Sequence, residues 1–346
     1  MKTEKKKFGR KKGFDVQFDD RTPLWQRIKA RFFTFTFLKN AAWFIFRYVL
    51  LIGIAYVILY PFIAKVAGSF MSREDFIDVT VKLIPKYPTL DTYKAIITEN
   101  RYFEAFGNTL IISLLCAVVQ MVTTMIIGYG LAKFKFKGNT ILFYCVIFTM
   151  VVPHQALRLA LFQKFRYFDL YGIIETITDL ITPGEANGIT LNLINTYWPL
   201  ALLSIGGLAF KNGLYIFLMR QFFRGVPDEL EEAAYVDGSG VFKTFVRIIV
   251  PLSVPMMITV FIFAFSWQWT DDFYTTMFFT RTSNYLMPNI VTVPASLNAT
   301  GFDAATVYSS AIVNTAALLI ILPLLIIYCF CQKYIVQGIE RSGIVG

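Results

Sequence analysis

The sequence predicts an all-α polytopic membrane protein with six transmembrane helices. Three observations lead to that class. Of the 346 residues, 56% are hydrophobic and 16% charged, a balance no soluble domain needs. Several uncharged runs reach the ~20 residues that cross a bilayer as a helix. The net charge of +10 is concentrated at the N-terminus, where twelve Lys or Arg precede Trp43, as in a cytoplasmic segment beside anionic lipid. A nucleic-acid reading of that charge lacks any accompanying fold signature. The tail, residues 1–42, is expected to be separate from a permeating domain over 43–346.

Taken in order, the spans are expected at about 43–64, 107–132, 140–161, 197–218, 252–270 and 307–331, each apolar and each bounded by polar or charged residues. Lys211 is the charge hardest to accommodate. It snorkels, pairs, or marks a bend with Asn212 and Gly213. Gly206 and Gly207 are read as small residues for close helix packing within the fourth span. Lys133, Lys135 and Lys137, in a short loop, orient the chain independently of the tail. Together they place both termini and the loop between spans four and five in the cytoplasm.

The opposite loops have order of their own. Residues 84–90 carry two prolines and read as extended. Residues 91–108 follow as an amphipathic helical pattern expected to lie in the membrane interface. Trp267 and Trp269 read as interface anchors at the end of span five. Asp271 and Asp272 beyond them are cavity-facing or plain loop residues. His154 has no partner of catalytic type in the sequence and reads as a polar packing residue. The four cysteines all lie in apolar runs without metal or disulfide spacing, and read as membrane-buried packing residues. The basic leader and extended first apolar run do not fit a cleavable signal peptide.

The loop 226–251 is the polar exception in the chain. Pro227 suits a helix's first position. Asp228, Glu229, Glu231 and Glu232 complement the positive end of its dipole. Leu230, Ala233 and Ala234 share a face, Asp237 is a cap or turn residue, and Gly238 ends the helix. A second short helix is expected from Val241, closed by Pro251. Two short helices and a tight turn make a stiff element.

These residues carry a resemblance. Glu232-Ala-Ala, three residues, Gly238, then Ile248 and Pro251 match the EAA loop of the inner-membrane permeases of ABC importers, with Val250 where the pattern has Leu. Arg220 to Glu231 and Pro251 to Pro255 resemble the carbohydrate-uptake subfamily, specifically its MalG-like subunit. So do Ile84 to Tyr93, Phe106 to Leu110 and Gln332 to Gly338, with a looser match at Trp269 to Phe273. The resemblance covers about residues 49–346. Residues 175–193 depart from the family and look like an insertion.

The resemblance implies a type I ABC importer (MetI-like) permease fold. It implies a transport subunit, not an enzyme, forming half of a pathway for a sugar or oligosaccharide; a polyol or glycerol-phosphate solute is the alternative. The implied partners are a second, MalF-like permease, ATP-binding subunits and an extracytoplasmic solute-binding protein, in the plasma membrane of a prokaryote. ATP and Mg would be held by the ATPase, since no phosphate-binding Gly-rich loop occurs here. Glu229, Leu230, Glu232, Ala233, Ala234, Asp237 and Gly238 are the implied ATPase-coupling residues; no substrate or metal residues are assigned. A secondary transporter would instead need paired intramembrane charges and an inverted repeat, which the spans do not display.

Overall fold

A computed structural model describes residues 25, 35–169, 172–173, 176, 180, 190–280, 285–298 and 305–341. Most of the basic tail and most of the 175–193 insertion lie outside these residues. The chain divides into two compact units, Met1–Ala64 and Lys65–Gly346. The first contributes most of helix α1 (Phe35–Gly68), which from Lys39 is long and apolar enough to cross a membrane.

In the second unit, α2 (Arg73–Ile77), α3 (Asp91–Glu99) and α4 (Tyr102–Lys133) come first. Next are α5 (Asn139–Val151), α6 (Arg158–Arg166), α7 (Trp198–Ile205) and α8 (Asn212–Arg224). Helices α9 (Glu229–Val236), α10 (Val241–Trp269), α11 (Phe273–Phe278) and α12 (Ala305–Arg341) complete it. The described residues form no β-strand beyond one isolated bridge, Phe168 with Leu191. The class is all-α, as expected.

Among the described residues four helices are unbroken and long and apolar enough to cross a membrane: α1, α4, α10 and α12. The third and fourth predicted spans are not straight. Between α5 and the turn that starts at His154 the chain bends by 94°. Pro153 has no N–H for the helical ladder, and Val152 before it is extended (φ −67°, ψ 120°). The fourth span is two helices, α7 and α8, separated by residues 206–211. Gly207 (φ +68°) and Lys211 (φ +66°) both adopt the left-handed conformation there. Gly206 and Gly207 therefore end a helix rather than sit inside one.

Close packing is done by other glycines. A Cβ on Gly128 would lie 2.6 Å from the Met219 Cβ, so α4 and α8 meet at nearly backbone contact. A Cβ on Gly213 would lie 2.6 Å from the Thr149 hydroxyl of α5. The core gathers around α4, with Tyr215, Met219 and Phe223 from α8, Val260, Phe265 and Trp269 from α10, and Ile312 and Ala316 from α12. Trp269 is fully buried and its indole N–H donates to the Ile320 carbonyl at 2.9 Å, so it is a core strut between α10 and α12 rather than an interface anchor. Of the cysteines only Cys116 is buried; Cys145 and Cys329 lie exposed on span surfaces.

At the end of the bundle away from loop 226–251, polar contacts order the connections. Asp75 is buried and accepts from the Lys86 and Tyr87 amides, pinning the proline-containing stretch 84–90. The 91–108 segment is broken at Asn100–Arg101, and span two starts at Tyr102, earlier than expected. The α3 face carrying Ile96 is buried against protein, not left for lipid. The Asn100 amide donates to the Ile290 and Thr292 carbonyls at 2.9 and 2.8 Å, fastening the loop after α11 over α3.

Candidate functional site

The coupling loop is built from its helix ends. Asp228 stands at the start of α9, and Pro227 just outside it, so the helix begins two residues later than expected. Glu229, Glu231 and Glu232 occupy the first turn, where carboxylates favour the helix dipole. At the other end the Ser239 amide reaches back to the Ala234 carbonyl (2.9 Å), and the Gly238 amide to Tyr235 (3.0 Å). With Gly238 at φ +76°, this is a Schellman stop. Asp237 is the turn residue immediately before it.

The second short helix is not separate. It runs on from Val241 into α10 through Pro251. A π turn over Phe245–Ile249 makes this possible: the Val250 amide bonds the Phe245 carbonyl, shifting the ladder by one residue just before a proline with no N–H to give. The loop is thus a rigid extension of a membrane span.

Of the implied coupling residues, Glu229, Leu230, Glu232, Ala233, Asp237 and Gly238 are exposed. Ala234 is buried and faces inward, so it packs the helix rather than presenting a surface. Glu231 is also buried, at 8% exposure, unlike Glu229 and Glu232 beside it in the first turn. It sits among Tyr129, Lys133 and Asp228; burial pushes its carboxyl above the usual range, and the nearby Lys133 opposes this. The outer surface contains two residues the sequence reading passed over. Val236 and Phe242 are 88% and 80% exposed, a large apolar area for side chains at a loop.

Lys133, at the end of α4, clamps the loop from below. Its side chain is buried (7% exposed) and its ammonium donates to the Val226 carbonyl and the Asp228 carboxylate. The ammonium beside Asp228 holds that carboxyl below the ordinary range. Arg220 stacks on Phe143 at 3.8 Å, joining α8 to α5.

A second polar assembly gathers at the break between α7 and α8. The Lys211 ammonium lies 5.1 Å from the Phe210 ring centre and 5.0 Å from that of Trp267. The His154 ring packs on Phe210 at 4.7 Å, and its Nδ1 shares a 2.9 Å hydrogen bond with the Tyr274 hydroxyl. His154, Phe210, Lys211, Trp267 and Tyr274 are scattered over 120 residues and meet here. Asp271 accepts from the Tyr274 and Thr275 amides (3.2 and 2.9 Å) and the Thr275 hydroxyl (3.2 Å), so it starts α11 while also lining the adjoining cleft. The signals in the sequence were the charge at Lys211, the lone His154 and the carboxylate at Asp271, each read separately.

Among the described residues no cluster has the composition of a metal site. Residues 120–341 match the family described as the binding-protein-dependent transport system inner membrane component. Similar proteins include LplC of Bacillus subtilis (strain 168), 27% identical over 85% of this chain and 92% of its own length. The galactooligosaccharides transport system permease protein GanQ of the same organism is 27% identical over 87% of this chain and 95% of its own. The maltodextrin transport system permease protein MalD of Streptococcus pneumoniae is 28% identical over 86% and 93%. A solved bacterial ABC transporter involved in import of the acidic polysaccharide alginate has a chain of the same fold, with TM-score 0.62 and 19% identity over 86% of this chain and 97% of that one. This chain is therefore a multi-pass membrane transport subunit, not an enzyme, and belongs to the family of binding-protein-dependent transport system inner membrane components.

Proposed function

We propose that this subunit forms half of the membrane pathway of an importer for a sugar or oligosaccharide and couples it, through α9, to a separate ATPase that holds ATP and Mg. The observation that carries the coupling role is the construction of the loop. An exposed surface of Glu229, Leu230, Glu232, Ala233 and Val236 stands on a helix clamped by Lys133 and stopped at Gly238, just before the span that begins at Val241. Rigid elements transmit domain motion, whereas a flexible loop dissipates it. Acidic and apolar groups side by side suit a partner groove with basic rims and an apolar floor. The saccharide reading rests on the named transport activities of relatives such as GanQ and MalD.

In this reading the loop end and both termini face the cytoplasm. The other permease and a solute-binding protein complete the system. Affinity purification of the chain from its native membrane tests it: a second permease and an ATPase should co-purify, and solute-loaded binding protein should stimulate ATP hydrolysis in proteoliposomes. Uptake by this chain alone, driven by an ion gradient, would sink the proposal.

A further inference from the structure

We propose that the turn between α4 and α5 binds an anionic phospholipid: Lys135, Lys137 and Arg224 hold its phosphate headgroup, and a stripe of α5 formed by Ile141, Tyr144 and Phe148 takes an acyl chain. The site is independent of the solute carried and of the coupling role of α9.

Three observations carry it. First, the turn is ordered and presents both kinds of side chain. The Asn139 amide donates to the Leu131 and Phe134 carbonyls at 3.3 and 2.8 Å, and the Phe134 ring stands edge-on to Tyr129 at 5.5 Å. On this frame Phe134, Lys135, Phe136 and Lys137 are all exposed. Alternating aromatic and basic groups at the end of a span suit the boundary between acyl chains and headgroups.

Second, the free charge here is of one sign. Lys133 is taken up by Val226 and Asp228, but among the described residues Lys135, Lys137 and Arg224 form no ion pair. Arg220 ties α8 to this corner, since its Nε–H donates to the Leu131 carbonyl at 3.4 Å and its guanidinium covers the Phe143 ring. Arg224, one helical turn further on, is exposed on the same face of α8. Cations near an anionic bilayer surface each contribute about five-fold in affinity.

Third, an apolar track starts at these cations. Helix α5 has no charged residue and none of its side chains is buried. It meets α8 through Phe143 and Thr149. Ile141, Tyr144 and Phe148, three and four apart, lie on the opposite face and are 68%, 66% and 67% exposed. At ~1.5 Å per residue the stripe runs about 10 Å from the turn along the helix. A surface with cations gathered at one end and no polar group along the rest has the charge pattern of a phospholipid.

The test places the complex purified from its membrane in phosphatidylcholine nanodiscs, with Phe136→Trp as reporter and the unaltered complex as background. Brominated phosphatidylglycerol should quench the added tryptophan at a mole fraction roughly twenty-fold lower than brominated phosphatidylcholine does. Lys135→Gln together with Lys137→Gln, in the same reporter chain, should erase most of that preference. Equal quenching by the two lipids overturns the site without any lysine substitution, and a preference that survives both substitutions overturns it too. No quenching by either lipid would show the turn covered by protein, whether a second permease or an ATPase, and likewise overturns it.

Discussion

The Lys133 ammonium donates to the Val226 carbonyl at 2.6 Å and to the Asp228 carboxylate at 2.5 Å, so the end of one membrane helix holds the chain segment that leads into the coupling helix. The two bonds differ in weight. Asp228 is largely exposed, and water screens an exposed ion pair so that it contributes little. The bond to the carbonyl is made by a buried ammonium, and a charge-assisted bond of that kind contributes roughly 1.5–3 kcal/mol.

Lys133→Met should therefore lower solute-stimulated ATP hydrolysis several-fold and reduce the thermal midpoint in detergent, whereas Asp228→Asn should change either only slightly. Equal effects from the two substitutions would show that the ion pair, not the carbonyl bond, is what stiffens the loop.

Gly238 has open space around it, so a side chain there meets no clash. Its φ of +76° is the obstacle. Gly238→Ala should cost about 1–2 kcal/mol through the left-handed penalty. Gly238→Pro cannot adopt that φ and also loses the amide bond to Tyr235. We expect the proline variant to insert normally and lose solute stimulation of ATP hydrolysis. Stimulation that survives Gly238→Pro would remove α9 from the coupling path.

Glu231 gives a pH dependence with a definite sign. Its folded-state carboxyl is raised by burial, so the folded chain holds a proton more tightly than the unfolded chain. Its contribution is most favourable below the ordinary carboxylate value, declines as pH rises toward the raised folded value, and is constant above it. Tyr129, Lys133 and Asp228 face it; Lys133 and Tyr129 work in the opposite direction, and Asp228 adds to the rise. Glu231→Gln should therefore stabilise the protein more at pH 8 than at pH 5, measured as the difference in thermal midpoint from the unaltered chain. A difference that does not grow with pH would mean the carboxyl is not raised.

Val236 and Phe242 project from the loop surface. If that surface meets the ATPase, Val236→Asp and Phe242→Asp should each release ATPase on purification while leaving the permease in the membrane. Buried apolar anchors at interfaces commonly contribute about 2 kcal/mol or more, which is some thirty-fold in affinity. Unchanged recovery of ATPase with both variants would place the contact elsewhere.

At the crossing of α4 and α8, Gly128→Ala would set a methyl group 2.6 Å from the Met219 Cβ, with backbone beside it. Overpacking of this kind costs about 1–3 kcal/mol. The expected result is a lower thermal midpoint and lower yield, and Gly128→Ala behaving like the unaltered chain would mean that the helices part there at little cost.

Much of this architecture was legible without coordinates, because membrane spans are declared by local composition. The continuous spans α1, α4, α10 and α12 needed only the length of their uncharged runs. The helix stop at Gly238 was legible for the same local reason: few residues other than glycine tolerate its φ. Composition does not report direction. The apolar runs at 140–161 and 197–218 look continuous, yet one turns sharply at Pro153 and the other is divided by two left-handed residues.

What the sequence by itself determined about the coupling element is its place, its polarity and the glycine that ends it. Which of its residues face outward was decided by tertiary structure. Glu231 and Ala234 turn inward because α4 brings Tyr129 and Lys133 beneath the helix, and residues more than 90 positions apart cannot announce that contact in a local pattern. The same reason hid the assembly of His154, Phe210, Lys211, Trp267 and Tyr274. Each residue alone has an ordinary explanation, and only the packing of three chain segments brings them together.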